Sequence, residues 1–221
     1  DPTVTEIVVE LGADWICVDM EHGSLDYKDV VAHARAARGS GAAVLTRVPA
    51  FRIDTVKQAL DLGVDGVILP LVRSAADVEE GFQYARYPGR GIRGVGGERA
   101  VHWGLRLQEY LAIADRETMV IPIIETRQAA ADFENIVRVE GLEAIFFGPA
   151  DLSASCGHLG HWEGPGVAED ILRILGIARA HDVAAGLMAW DEKTFDVPMV
   201  SLAAIALGLF AVKTGKTLLL Y

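Results

Sequence analysis

Short apolar runs recur along this chain, and amphipathic stretches separate them. The runs are Trp15 to Met20, Ala43 to Val48, Gly66 to Leu71, Met119 to Ile124, Ala144 to Phe147, Val183 to Ala189 and about Ile205 to Val212. Most are continuous rather than alternating, which is the pattern of parallel strands covered on both faces. Between them, Asp26 to Arg38, Ile53 to Leu62, Ala75 to Tyr84, Arg127 to Val137 and Ala168 to His181 carry helical spacing. Alternating β and α elements with parallel strands leave two architectures, a doubly wound sheet or a (β/α)8 barrel.

A short echo supports a repeated unit. Leu11-Gly12-Ala13-Asp14 precedes one run, Leu62-Gly63-Val64-Asp65 another, and Gly141-Leu142-Glu143 a third. Glycine just past a helix is the expected left-handed stop, so each echo marks a helix-to-strand loop. No GxGxxG follows the first strand, which weighs against a dinucleotide-binding sheet. The Gly-rich stretch Gly89 to Gly97 follows a helix and lacks the Lys-Ser/Thr ending of a P-loop. It reads either as a mobile or site-lining loop or as a surface connection.

Composition narrows the partners. Lys and Arg number 20 against 31 Asp and Glu, a formal net charge of −11. That balance argues against a nucleic-acid or anionic-membrane surface, which needs a basic footprint. A small anionic substrate stays open, because a few arginines in a cleft dominate locally. Cys17 and Cys156 are too few for a disulfide scaffold or a cysteine-rich zinc module. Free thiols fit a cytoplasmic protein. No window approaches the ~20 apolar residues of a membrane span, and Asp1-Pro2-Thr3 does not open a signal peptide. One domain over residues 1–221 is expected. Seven strands are visible where a (β/α)8 barrel has eight, so the first strand and most of the last helix are expected to lie outside these residues.

Parallel barrels do their chemistry at the carboxyl ends of strands. The successive runs end in Asp19-Met20-Glu21-His22, Arg47-Val48-Pro49, Pro70, Glu125-Thr126-Arg127 and Gly148-Pro149-Ala150-Asp151-Leu152-Ser153. Glu125 and Asp151 stand one βα step apart, so they can face each other across the mouth. Two carboxylates with open positions suit Mg²⁺, Mn²⁺ or Co²⁺; a helix cap and a salt bridge are the plainer reading. The turn from Gly148 starts a helix whose backbone N–H groups suit an anion, or it is an ordinary capped turn. His22 has the intrinsic pKa for proton transfer, with carboxylates beside it. Arg47 needs an anionic partner, either a substrate carboxylate or enolate, or Asp19 or Glu21. The other histidines fall in helices or loops and read as structural.

Taken in order, these pieces resemble the HpcH/HpaI aldolase/citrate lyase family, in particular its class II 2-oxo-acid aldolases. The matching text is Gly12-Ala13-Asp14-Trp15, Asp19-Met20-Glu21-His22-Gly23, Arg47-Val48-Pro49 and Gly63-Val64-Asp65-Gly66 with Pro70. It continues through Tyr87-Pro88, Gly91-Ile92-Arg93-Gly94-Val95-Gly96 and Ile124-Glu125-Thr126 to Gly148-Pro149-Ala150-Asp151-Leu152-Ser153. The resemblance implies a (β/α)8 TIM barrel and a divalent metal ion on Glu125 and Asp151. It implies substrate contacts from Arg47 and the Gly148, Pro149, Ala150 and Asp151 turn, with the amides at Ala150 and Asp151 holding a carboxylate. His22 corresponds to the family's proton-transfer histidine, with Asp19 supporting it. The implied substrates are a pyruvate-type 2-oxo acid and an aldehyde, and the implied assembly is a homo-oligomer, a hexamer made as a trimer of dimers. No Schiff-base lysine is required; Lys213 and Lys216 are the rivals for that role.

Two departures stand out. Ile123 occupies a position where the family often has Gln, and the segment Phe210 to Thr217 departs from the family's Gly-rich, acidic ending. A citrate-lyase-like or malyl-CoA-lyase-like enzyme and a non-catalytic assembly barrel are the competing readings. The short chain and the absence of a basic phosphate-binding cluster weigh against the first. The full set of Glu125, Asp151, His22 and Arg47 weighs against the second.

Overall fold

A computed structural model describes residues 1–159, 161 and 164–187 in full, and the backbone of 188, 201–206 and 209–212. Six parallel strands follow one another in chain order. They are β1 (Trp15–Asp19), β2 (Ala43–Arg47), β3 (Gly66–Leu69), β4 (Met119–Ile124), β5 (Ala144–Phe147) and β6 (Ala184–Met188). They form a curled half-barrel flanked by α1 (Pro2–Glu10), α2 (Tyr27–Ala36), α3 (Ile53–Asp61), α4 (Ala75–Ala85), α5 (Leu107–Glu117), α6 (Arg127–Ala131), α7 (Phe133–Ile136), α8 (Pro149–Ser155) and α9 (Val167–Ala180). No helix among the described residues is long and apolar enough to cross a membrane.

The period of two along a strand sorts the core into two layers. Ile16 and Val18, Val67 and Leu69, and Ile145 and Phe147 point outward and pack with the helices. Cys17, Leu45, Ile68, Ile121, Ile123 and Phe146 point inward and form a separate cluster. Both faces are apolar, which is why the runs read as continuous in sequence. The echo positions behave as helix stops: Gly12 has φ +83 and Gly63 φ +74, in the left-handed region that a side chain disfavours.

The end of the sheet departs from expectation. The apolar stretch placed at about 205–212 is two strands, β7 (Ser201–Ala206) and β8 (Leu209–Val212). β7 continues the parallel order beside β6, but β8 runs antiparallel to both β7 and β1. An antiparallel ribbon thus stands where the eighth parallel strand of a (β/α)8 barrel is expected. Lys213 and Lys216 lie outside the described residues.

Two helical details also differ, and the open reading of the Gly-rich stretch is decided. Arg127 to Val137 is two short helices, not one, because the Asp132 carboxylate is engaged sideways. It accepts from the Ala75 N–H at 2.8 Å and from Asn135 Nδ2 at 2.6 Å, which breaks the helix there. α5 was not apparent in the periodicity; among its residues only Ala114 is buried. The Gly-rich stretch 89–97 is a structural connection away from the strand ends. Its Arg93 is fully buried, pairs with Asp61 at 2.9 Å and donates to Tyr110 Oη at 3.2 Å. Asp61 closes α3 just before β3 begins, so this anchor belongs to the amino-terminal end of the sheet.

Candidate active site

The inward alternation that builds the core also builds the site. Two residues beyond inward Cys17 comes Asp19, two beyond Leu45 comes Arg47, two beyond Ile123 comes Glu125, and two beyond Phe146 comes Gly148. Each strand therefore changes from apolar to functional at its last inward position. Strand register then sets neighbours side by side. Asp19 pairs across from Arg47 at the ends of β1 and β2, and Ile124 across from Phe147 at the ends of β4 and β5.

Arg47 is held by two acids at once. Its Nε donates to Asp19 Oδ1 at 2.7 Å, its Nη2 donates to Asp19 Oδ2, and its Nη1 lies 3.1 Å from Glu21 Oε2. The ion-pair reading of Arg47 is thus the one seen, with both candidate partners engaged. Asp19 also accepts from the backbone N–H of Glu21 at 2.9 Å and of His22 at 3.4 Å. Burial opposes its ionisation, but the Arg47 hydrogen bonds and charge, with those N–H groups, hold it below the ordinary carboxylate range. Burial pushes Glu21 up, against the pull of Arg47 and His22. The His22 imidazole is exposed on the rim, and its nearest acid is Glu21, at 3.7 Å from Nε2. Asp19 therefore shapes the backbone under His22, while Glu21 faces the ring.

Glu125 is 2 % exposed. Burial raises its carboxyl from 4.5 to about 7; the Leu71 N–H, 2.6 Å from Oε1, opposes the rise, and the charges of Glu21 and Asp151 add to it. Gly148 leaves room for that carboxylate, since a Cβ there would lie 2.5 Å from Glu125 Oε2. Asp151 lies exposed in the first turn of α8, near enough for its charge to act on both Glu21 and Glu125. Ile123 sits directly below in the inner apolar cluster. The Cys17 thiol beneath the mouth is driven up to about 12 by burial, so it is inert as a nucleophile.

The charge count decides what this mouth can bind. Among the described residues, Asp19, Glu21, Glu125 and Asp151 face one guanidinium, a formal excess of three negative charges. An excess of that size around a buried carboxylate is relieved either by a proton on the carboxyl or by a cation. Among the described residues no three Asp, Glu, His or Cys side chains converge on one point. Oxygen donors from two carboxylates, with other positions left for substrate and water, suit a hard divalent ion. One contributor has no signal in the sequence: the Leu71 N–H is a backbone donor without a side-chain signature, whereas Glu21 was legible as a candidate partner of Arg47.

A strand-end cluster of acids around one arginine, on a curled parallel sheet, defines an α/β enzyme with its chemistry at the carboxyl mouth. The sequence profile of the HpcH/HpaI aldolase/citrate lyase family matches residues 1–204. A hydroxypyruvate/pyruvate aldolase from Deinococcus radiodurans is 38% identical over 199 residues, 87% of this chain and 70% of that protein. A 4-hydroxy-2-oxovalerate aldolase from Rhodococcus jostii is 38% identical over 191 residues, 85% of this chain and 73% of that protein. A crystal structure of an HpcH/HpaI family protein from Burkholderia cenocepacia superposes with a TM-score of 0.83 at 33% identity, covering 89% of this chain and 79% of that one. The chain belongs to the HpcH/HpaI aldolase/citrate lyase family and is a carbon–carbon lyase.

Proposed function

We propose that this chain is a class II aldolase that joins or cleaves a pyruvate-type 2-oxo acid and an aldehyde within a (β/α)8-type barrel. The observation that carries the reading is the surplus of acids over Arg47 around buried Glu125 among the described residues, a surplus that a divalent cation would offset for an incoming 2-oxo-acid anion. Glu125 and Asp151 would hold that ion, Mg²⁺, Mn²⁺ or Co²⁺, which when bound supplies Lewis-acid stabilisation of enolate charge. Removing a C3 proton from pyruvate leaves an enolate that must have cationic neighbours aimed at its oxygen. Arg47 is suited to that because Asp19 and Glu21 fix its guanidinium before substrate arrives. The amides of Ala150 and Asp151, after the Gly148-Pro149 turn, take the substrate carboxylate. His22 stands at the open rim, with Glu21 to orient its ring, and moves the proton at C3 and at the aldol oxygen. Support for the substrate class comes from the pyruvate-aldolase and 4-hydroxy-2-oxovalerate-aldolase names of the relatives. A homo-oligomer acting on free small molecules in the cytoplasm completes the reading.

The test is deuterium exchange at pyruvate C3, followed by proton NMR, with and without chelator. Exchange that stops on chelation and returns with Mg²⁺ or Mn²⁺ supports the aldolase. Exchange that survives chelation sinks the metal role, and no exchange with any metal points to a non-catalytic barrel.

A further inference from the structure

Glu125 is set in place from two sides. On one side Leu71 has φ +57, a left-handed conformation that bulky L-residues seldom adopt. That turn aims its backbone N–H at Glu125 Oε1, 2.6 Å away. The Leu71 side chain is 57% exposed, so its packing does not enforce the turn. Residues in sparsely populated backbone regions persist where the surroundings over-determine them, and they gather at functional sites. Here the gain is a charge-assisted hydrogen bond to an enclosed carboxylate.

On the other side is Gly148. A Cβ built there would lie 2.5 Å from Glu125 Oε2, 2.8 Å from Glu125 Cβ and 3.4 Å from Ile123 Cγ2. Any other residue would push the carboxylate out of its position. Register explains the arrangement. β3 leaves the sheet after Leu69, opposite Pro122, and β5 ends at Phe147, opposite Ile124. Leu71 and Gly148 therefore flank Glu125 from the two strands beside β4.

We propose that Leu71 and Gly148 are positioning residues that form a two-sided clamp on Glu125. The Leu71 N–H fixes Oε1, and the missing side chain at Gly148 leaves Oε2 free to meet a divalent cation. This rests on reading Glu125 as a metal ligand. It assigns Leu71 a role through its backbone alone, so side-chain identity matters only through the turn. It also gives Gly148 a reason to be glycine that involves no contact with substrate.

The experiment measures Mn²⁺ affinity by titration calorimetry on the full chain at one fixed pH. The variants are Glu125→Gln, Gly148→Ala, Leu71→Gly and a chain in which the Leu71 amide is replaced by an ester. The ester removes the N–H donor, keeps the side chain and otherwise only weakens the Pro70 carbonyl as an acceptor. Melting temperature in chelator reports folding for each. The ester is expected to weaken Mn²⁺ binding about tenfold or more, the scale of a hydrogen bond to a charged group, while Leu71→Gly stays within about twofold. Gly148→Ala is expected to weaken binding at least as much as the ester, because it displaces the carboxylate itself. An ester that binds like the parent chain, beside a Glu125→Gln that does not bind, overturns the clamp and leaves the metal reading intact. A Glu125→Gln that binds Mn²⁺ like the parent overturns the metal reading and the clamp with it. Should the ester chain not fold, the Leu71 amide proton resonance decides. It is expected to move upfield in Glu125→Gln, and an unmoved resonance overturns the clamp.

Discussion

Replacing Glu125 by Gln should stabilise the metal-free protein at high pH, although it removes a functional group. Burial raises this carboxyl from 4.5 to about 7. Below about pH 4.5 folded and unfolded chains both hold the proton, and the site contributes its full stability. Between the two values the folded chain keeps a proton that the unfolded chain has released, so stability falls as pH rises. Above about pH 7 both are ionised, and the folded chain carries a penalty of about 3 kcal/mol, from 1.36 kcal/mol per pKa unit. Glutamine keeps an acceptor for the Leu71 N–H and carries no charge, so it escapes that penalty. Urea denaturation in chelator at about pH 4 and pH 8 should show nearly matched stabilities at the lower value. At the higher value Glu125→Gln should be more stable by about 3 kcal/mol, a melting shift of roughly 6–12 °C for a chain of this size. Mn²⁺ at about 1,000 times its Kd should reverse the order, since it adds about 4.1 kcal/mol only to the chain that binds it. A Glu125→Gln chain no more stable than the parent at pH 8 in chelator would refute the electrostatic reasoning.

Arg47→Ala should cost about 3 kcal/mol or more in urea denaturation, because it leaves Asp19 and Glu21 buried without their cation; a loss below about 1 kcal/mol contradicts the buried pairing. His22→Ala should leave stability within about 0.5 kcal/mol, since the imidazole is exposed, and slow pyruvate C3 exchange by roughly 100-fold. Unchanged exchange rules out its proton role. His33 is 1% exposed, and burial holds its pKa below 6.5, with Thr5 Oγ1 2.7 Å from Nδ1. Its neutral form is the one folded, so its contribution is complete above about pH 6.5 and declines as pH falls, read as the difference between the parent and His33→Gln. Thr5→Val should cost about 1–2 kcal/mol at pH 7.5 by leaving the buried ring nitrogen unpartnered, and equal denaturation midpoints contradict this.

What the sequence made legible follows the range of the forces involved. Asp19, Arg47, Glu125 and Gly148 end apolar runs, and a run's end is a local signal. The helix-to-strand stops at Gly12 and Gly63 were equally local, because a left-handed backbone selects for glycine. Tertiary events were not legible. The break at Asp132 depends on an N–H from α4, 57 residues away in sequence. The antiparallel β8 depends on pairing with β1 across nearly the whole chain. Arg47 left two partners open in sequence, and only the strand register shows that Asp19 and Glu21 share it. The Leu71 amide is a backbone donor placed by an unusual φ on a residue whose type gives no hint of it.

One alternation makes both the core and the chemistry, and the two are energetically linked. The inward residues Cys17, Leu45, Ile123 and Phe146 are apolar, and Asp19, Arg47, Glu125 and Gly148 lie one inward step above them. The carboxylates therefore rest on a low-dielectric floor that strengthens every charge interaction above it. That floor is why Glu125 resists ionisation and why Arg47 needs two acids to stay folded in. Ile123 makes the floor drier directly beneath Glu125. A drier floor makes the empty site costlier to ionise and so widens the gain when a cation enters. The site's surplus of negative charge and the apolar core beneath it thus act together: the first favours a cation, and the second raises the cost of leaving Glu125 ionised without one.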